Sequence, residues 1–261
     1  MKDDFYIEAY KNYRKECSNS NFLQELSEIE YDTIEKPKCN KLGLMVYSEF
    51  LLEHTNQLVN DIHSFRLNLI KLNSWNNVIH KYSEQEKFNL LVEFLDPLLV
   101  FLHDLPYSIN NRFIFSLSHL CHQANRYTLD EWKDDLPEDS SIKYKTMKKY
   151  CSKWEYFDEF LLKLENLSGK EFRKETNEYR NRFHHRIPIY TEIGISNMMS
   201  RKKINDTGEV SYSFGYIEPM PLSKTIDLLK QQYIAMCNCF YAYEKLLNHQ
   251  VSYIDSKFKE S

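Results

Sequence analysis

The sequence predicts a mainly α fold, an antiparallel helical bundle with a single β-hairpin inserted before the last helix. Three observations carry that expectation. Glycine (5) and proline (7) are scarce among 261 residues, so few turns are encoded and long regular elements are favoured. Apolar residues recur at three/four spacing through residues 44–72 and again through 222–247, as in helices that each bury one face. Past Pro188 the period changes to strict alternation, which marks strands.

Composition narrows the class. Charged residues make up 28% and the net charge is −4, an ordinary soluble surface without the global basic excess of a nucleic-acid binder. Any such role must rest on a local patch. Met1-Lys2-Asp3-Asp4 has no apolar signal region, and no stretch approaches the ~18 apolar residues of a membrane span. A cytoplasmic protein with reduced thiols and no membrane role is expected. The six cysteines (Cys17, Cys39, Cys121, Cys151, Cys237, Cys239) lack the density of a disulfide scaffold. Cys237-x-Cys239 has no second Cys/His pair at finger-like spacing, so these read as small buried hydrophobes.

In chain order, residues 1–40 read as a peripheral, highly charged helical flap broken near Pro37, and 41–261 as one domain. From Lys41, the stripe of Leu44, Tyr47, Leu51, Leu58, Ile62, Phe65, Leu69 and Leu72 makes a long bundle helix. His54 fills a position in that stripe as a hydrogen-bonded core histidine. Asn73-Ser74 and Asn76-Asn77 predict a break. A second helix spans 83–103, kinked at Pro97, and Pro106 separates it from a third over 110–127. The third is apolar nearly all round, which suits a central position. Its His119 and His122, at i, i+3, could grip a metal, but no acid accompanies them within the helix; structural hydrogen bonding is preferred. Residues 128–141 carry six acids (Asp130, Glu131, Asp134, Asp135, Glu138, Asp139) against Lys133, without the glycine alternation of a calcium loop. They predict a solvated connection, followed by a fourth helix over 142–167.

The hairpin is expected at about 189–217. Ile189, Thr191, Ile193 and Ile195 alternate with polar or small residues, as do Val210, Tyr212, Phe214 and Tyr216, around the turn-rich tip Asn205-Asp206-Thr207-Gly208. An isolated ribbon is marginal in water, so it should pack on the bundle or on another subunit. The last helix opens near Ser223, and its stripe of Leu222, Ile226, Leu229, Tyr233, Met236, Phe240, Tyr243 and Leu247 is either core or dimer seam. Nothing resembles a P-loop or a dinucleotide turn.

The chemistry concentrates before Pro188. Ser168-x-x-Glu171 has the form of a capping box, so a helix is expected from about Gly169. Phe172, Thr176, Tyr179, Phe183 and Ile187 form its core-facing stripe. Beside that stripe run Arg180-Asn181-Arg182-Phe183-His184-His185. Arg180 and His184 are an i, i+4 pair, roughly 6 Å apart at Cβ; Asn181 and His185 are a second, further from the core. From Lys170 to Arg186 six bases face three acids, a net +3 within a chain of net −4. Such a patch favours phosphate. The plainer reading is an exposed helix face laced with ion pairs such as Glu178–Arg182.

Arg180-Asn181-x-x-x-His185, ending a helix in an otherwise helical chain, resembles the RNxxxH motif of the HEPN superfamily (higher eukaryotes and prokaryotes nucleotide-binding). The motif fixes three letters. The resemblance covers residues 42–187 and 222–249, leaving the flap and the hairpin as additions. It implies a metal-independent, cofactor-free endoribonuclease, commonly a homodimer, of toxin–antitoxin or phage-defence systems. RNA would be the substrate, and an antitoxin or nucleotidyltransferase the partner to seek. His185 would be the general acid/base, with His184 assisting, Arg180 the phosphate clamp and Asn181 the positioner. Arg173, Lys174, Arg182, Arg186, Arg201, Lys202 and Lys203 are the candidate RNA contacts.

One geometric difficulty follows. In a regular helix Arg180 and His185 lie ~140° apart, at ~100° per residue. Either two copies share a composite cleft, or the helix frays before Pro188 and His185 swings back. If the helix stays regular, His184 takes its place. The competing readings are a non-catalytic nucleotide-binding or protein-interaction module and, last, a metal enzyme using His119, His122, Cys121 or the Cys237–Cys239 pair.

Overall fold

The strongest apolar stripes become the longest helices. The computed structural model describes residues 2–19, 22, 26–38, 42–129, 131–204 and 208–259. Lys41, Cys39, Asp130 and the Asn205–Thr207 part of the expected turn lie outside them. The first helix, α1, is Lys2–Asn19; residues 26–38 have no regular structure. Helix α2 covers Leu42–Ile79, and every apolar residue of its expected stripe is buried. It does not break at Asn73. Trp75, Val78 and Ile79 are buried, and Tyr13 stacks on Trp75 with ring centroids 4.5 Å apart, so packing overrides the weak helix propensity of the asparagines.

Helix α3 (Glu84–Leu90) passes through a single π turn at Leu91–Leu95 into α4 (Asp96–Asn125). The π turn is the form taken by the expected kink. The Pro97 ring would crowd the carbonyl four residues back, at Glu93, and the wider turn makes room for it. Pro106, by contrast, ends nothing: α4 runs through it, with Leu102, Leu105 and Ile109 buried around it.

The expected fourth helix is two, α5 (Tyr144–Cys151) and α6 (Phe157–Leu164), separated where Tyr156 adopts a left-handed φ of 69°. Between α4 and α5 the acidic connection is solvated yet attached. Asp139 Oδ1 lies 3.1 Å from His119 Nε2, while Asp134 and Asp135 lie 3.6 and 3.7 Å from the buried His122 Nε2. The acids missing from α4 itself therefore arrive from the loop. Even so, among the described residues no cluster of three or more His, Cys, Asp or Glu is arranged to hold a metal. His54 is a packed rather than a hydrogen-bonded core histidine. Its ring lies among Phe50, Phe115 and His119, its Nδ1 has no hydrogen-bond partner among the described residues, and burial lowers its pKa.

Helices α7 (Lys170–Glu175) and α8 (Tyr179–His185) precede a two-stranded antiparallel ribbon, β1 (Met199–Lys203) and β2 (Val210–Phe214). The second strand lies as expected; the first is displaced. Residues 189–196 supply only isolated bridges, Thr191↔Met220 and Ser196↔Ile217. Positive φ at Glu192 (62°), Gly194 (126°) and Asn197 (60°) breaks the extended run. Gly194 is required there, because a Cβ would collide with the Tyr190 ring. The last helix, α9 (Leu222–Lys259), buries its entire apolar stripe within this chain, which makes it core. Burial raises the thiol pKa of Cys151, Cys237 and Cys239, with Cys237 pushed up to about 11, as befits inert core residues. Among the described residues no helix is long and apolar enough to cross a membrane.

Contacts divide the chain into two compact units. One comprises Met1–Glu25, Asn68–Asp104 and Lys170–Gln231; the other comprises Leu26–Leu67, Leu105–Gly169 and Gln232–Ser261. The first holds α7, α8 and the ribbon, and with them the residues singled out for chemistry.

Candidate functional site

The expected single motif helix is interrupted, and the interruption sets the site. α7 begins at Lys170, one residue from expectation, and ends in a Schellman-type cap: Glu178 N–H donates to Arg173 O (2.7 Å) and Asn177 N–H to Lys174 O (3.0 Å). Asn177 (φ 51°) and Glu178 (φ 58°) are both left-handed. Asparagine is the commonest substitute for glycine there because its short polar side chain tolerates that region. The break resets the helical phase. Phe172, Thr176 and Tyr179 stay buried, but Phe183 (42% exposed) and Ile187 (54%) leave the core, against the expected stripe.

What fixes α8 is a ring stack. Tyr179 lies on the His103 imidazole of α4 with centroids 3.8 Å apart and planes within 19°, and Phe183 lies 6.1 Å further along, nearly parallel. His103 Nδ1–H donates to the Leu99 carbonyl at 2.8 Å, and burial holds its pKa down at about 4, so it docks neutral. Burial, then the charges of Asp96 and Asp104, pushes the Tyr179 phenol well up. The Asp96 carboxyl is itself raised by burial.

The neighbour of His103 does the positioning. Asp104 extends its carboxylate to α8, where Oδ2 is 2.8 Å from His184 Nε2 and Oδ1 is 3.4 Å from Arg180 Nε. A carboxylate only accepts, so Nε2 carries the hydrogen and Nδ1 is the basic nitrogen of His184. The i, i+4 spacing of Arg180 and His184 on a regular turn lets one carboxylate span both. All three side chains are partly exposed, at 48%, 39% and 31% for Arg180, His184 and Asp104. Asp104 went unmarked in the sequence. Its only signal was its place beside His103 on an apolar helix, which says nothing of a partner 80 residues away.

The helix stays regular through His185 and ends at Arg186, whose backbone is extended, so His185 does not swing back toward Arg180. Its ring lies 6.2 Å from that of His184, exposed to solvent. Asn181 is half-buried. Arg182 is half-buried too, and its Nε has no hydrogen-bond partner among the described residues. Arg186, Arg173 and Lys174 are exposed on the same short stretch; Arg201, Lys202 and Lys203 lie on the separate strand β1, also exposed. The structure thus joins Arg180 and His184 directly, adds Asp104, and keeps Asn181 and His185 on the next faces of one helix.

That arrangement can hold an anion at Arg180 and move a proton at His184 Nδ1. Comparison with family models, with curated proteins and with solved structures finds no match to this chain, so the functional reading rests on the site itself.

Proposed function

We propose that the protein is a metal-independent endoribonuclease of the HEPN type, acting as a homodimer in a toxin or phage-defence setting. The observation that carries the proposal is the Asp104 carboxylate holding Arg180 and His184 together on one exposed helical face. Arg180 offers a planar cationic fork to the scissile phosphate. His184 Nδ1, with its tautomer fixed by Asp104, takes the proton of the ribose 2′-hydroxyl. The 2′-oxygen then attacks phosphorus, the bond to the 5′-oxygen breaks, and the protonated His185 gives that oxygen its hydrogen. The products are a 2′,3′-cyclic phosphate and a 5′-hydroxyl end. Asn181 positions the ribose, and a second copy across a two-fold axis would bring its own His185 to the far side of the cleft.

Arg180 is already paired, which sets the strength of the clamp. A partly exposed ion pair is worth only ~0.2–1 kcal/mol, so the singly charged phosphodiester competes with Asp104 at small cost. A second reading uses the same observation differently: with its guanidinium occupied, the site is a non-catalytic nucleotide-binding or protein-interaction module. The experiment is incubation with labelled single-stranded RNA in excess EDTA. Cleavage to cyclic-phosphate ends, lost in Arg180→Ala and His184→Ala while helical circular dichroism is kept, supports the nuclease. An intact substrate with wild-type protein overturns it, and saturable nucleotide binding in that case supports the module.

A further inference from the structure

The ribbon is the most exposed apolar feature of its unit, and its register sorts its residues into two unlike faces. Pairing of Met199 with Phe214, Arg201 with Tyr212 and Lys203 with Val210 puts these six on one side. Ser200–Ser213 and Lys202–Ser211 occupy the other, where the Ser200 and Ser213 hydroxyls bond each other at 2.7 Å. Phe214 is 85% exposed and Tyr212 62%. Rings so bare on a ribbon with every β2 residue exposed are doing no folding work in this chain.

We infer that this face binds single-stranded RNA, with bases stacked on Tyr212 and Phe214 and phosphates held by Arg201 and Lys203; the inference rests on the ribonuclease reading. On one face the cations Arg201 and Lys203 line β1 and the rings Tyr212 and Phe214 line β2 beside them. A row of charge next to a row of rings is how sequence-tolerant single-strand sites are built: every base has a π face, and every linkage has a charge. The lysine split matters. Lys202 belongs to the polar side, so the basic run is not a uniform solvated cluster. A second copy adding to the β1 edge would set the Arg201-Lys202-Lys203 strand against itself, and like charges on an edge strand oppose that pairing. The acid nearest this face in sequence, Glu209, sits before β2, beyond the aromatic pair.

The test is fluorescence anisotropy of the full chain with a labelled 2′-O-methyl oligonucleotide, which cannot supply the attacking hydroxyl. Tyr212→Ala with Phe214→Ala should weaken single-strand binding at least tenfold, as loss of two stacked bases at ~1–3 kcal/mol each requires. Duplex RNA of the same sequence should bind weakly and respond little. Arg201→Ala should flatten the salt dependence, and Ser211→Ala on the opposite face should change nothing. Unchanged affinity in the double variant overturns the inference, as does a change only in oligomeric state. If wild type binds through the rings but never cleaves, the nuclease reading fails alone; if the double variant cleaves and binds normally, the platform fails alone.

Discussion

The neutral histidine beneath the site makes a quantitative prediction about acid. His103 is buried against Tyr179 with its pKa lowered to about 4 from the model-peptide 6.5. Between those values the unfolded chain holds a proton that the folded chain refuses, so folding stability must fall as pH falls through that window. The size follows from linkage at ~1.4 kcal/mol per pH unit: about 2 kcal/mol lost by pH 5, and about 3 kcal/mol once pH is below 4. The perturbation is His103→Phe, which keeps a ring for Tyr179 but cannot titrate. Urea denaturation of both proteins at pH 7, 6, 5 and 4.5 gives two stability curves. Their difference isolates His103 from the opposite contribution of Asp96, whose raised carboxyl favours the fold as pH drops. The variant should lose stability less steeply, by close to one proton. Parallel curves would refute the stacked, neutral histidine and with it the account of how α8 is docked.

Two further predictions concern the backbone around the motif. Gly169 has no room for a Cβ, which would press on the carbonyl oxygen of Glu165, so Gly169→Ala should cost roughly 1–3 kcal/mol in chemical denaturation; an unchanged midpoint would contradict the close approach. At the left-handed cap, Asn177→Gly should hold or raise the melting temperature, whereas Asn177→Ala should lower stability by about 1 kcal/mol. Equal effects of the two would contradict the cap.

Long-period features were legible in the sequence and single-residue punctuation was not. The stripes from Leu44 and from Leu222 are summed over many turns, so no one residue can mislead. Asn73 and Pro106 look like stops, but each sits among buried side chains whose packing outweighs a local preference, about 3 kcal/mol or more for the proline and under ~1 kcal/mol for the asparagine. The converse failure is Tyr156 and Asn177, breaks made by left-handed residues that carry no glycine to announce them. The first strand was misplaced because Ile189, Thr191, Ile193 and Ile195 have strand chemistry, while the paired residues Met199–Lys203 hold their register through β2 and the Ser196↔Ile217 bridge. Within the site, Arg180 and His184 were visible as a pair. Asp104, which decides their orientation, comes from another helix and could not be seen without the fold.

Helical phase ranks the two histidines. On a helix regular to His185, residue 184 lies ~40° from Arg180 around the axis and residue 185 lies ~140° away. One phosphate can therefore meet Arg180 and His184 of one chain, while His185 must act from its own side or from the partner copy. His184→Ala should then abolish cleavage, and His185→Ala should leave a remnant that an acidic leaving group restores, because only protonation of the 5′-oxygen is lost. Asp104→Asn separates orientation from charge. Removing the carboxylate frees Arg180, so oligonucleotide affinity should rise about twofold to fivefold, the worth of one exposed pair. Cleavage should fall nonetheless, since the Nε2 hydrogen of His184 exchanges a charged two-oxygen acceptor for a single neutral amide oxygen that Arg180 also seeks. Binding and cleavage that fall together would mean Asp104 serves only to dock α8; a rise in both would mean it is a simple competitor for phosphate and positions nothing.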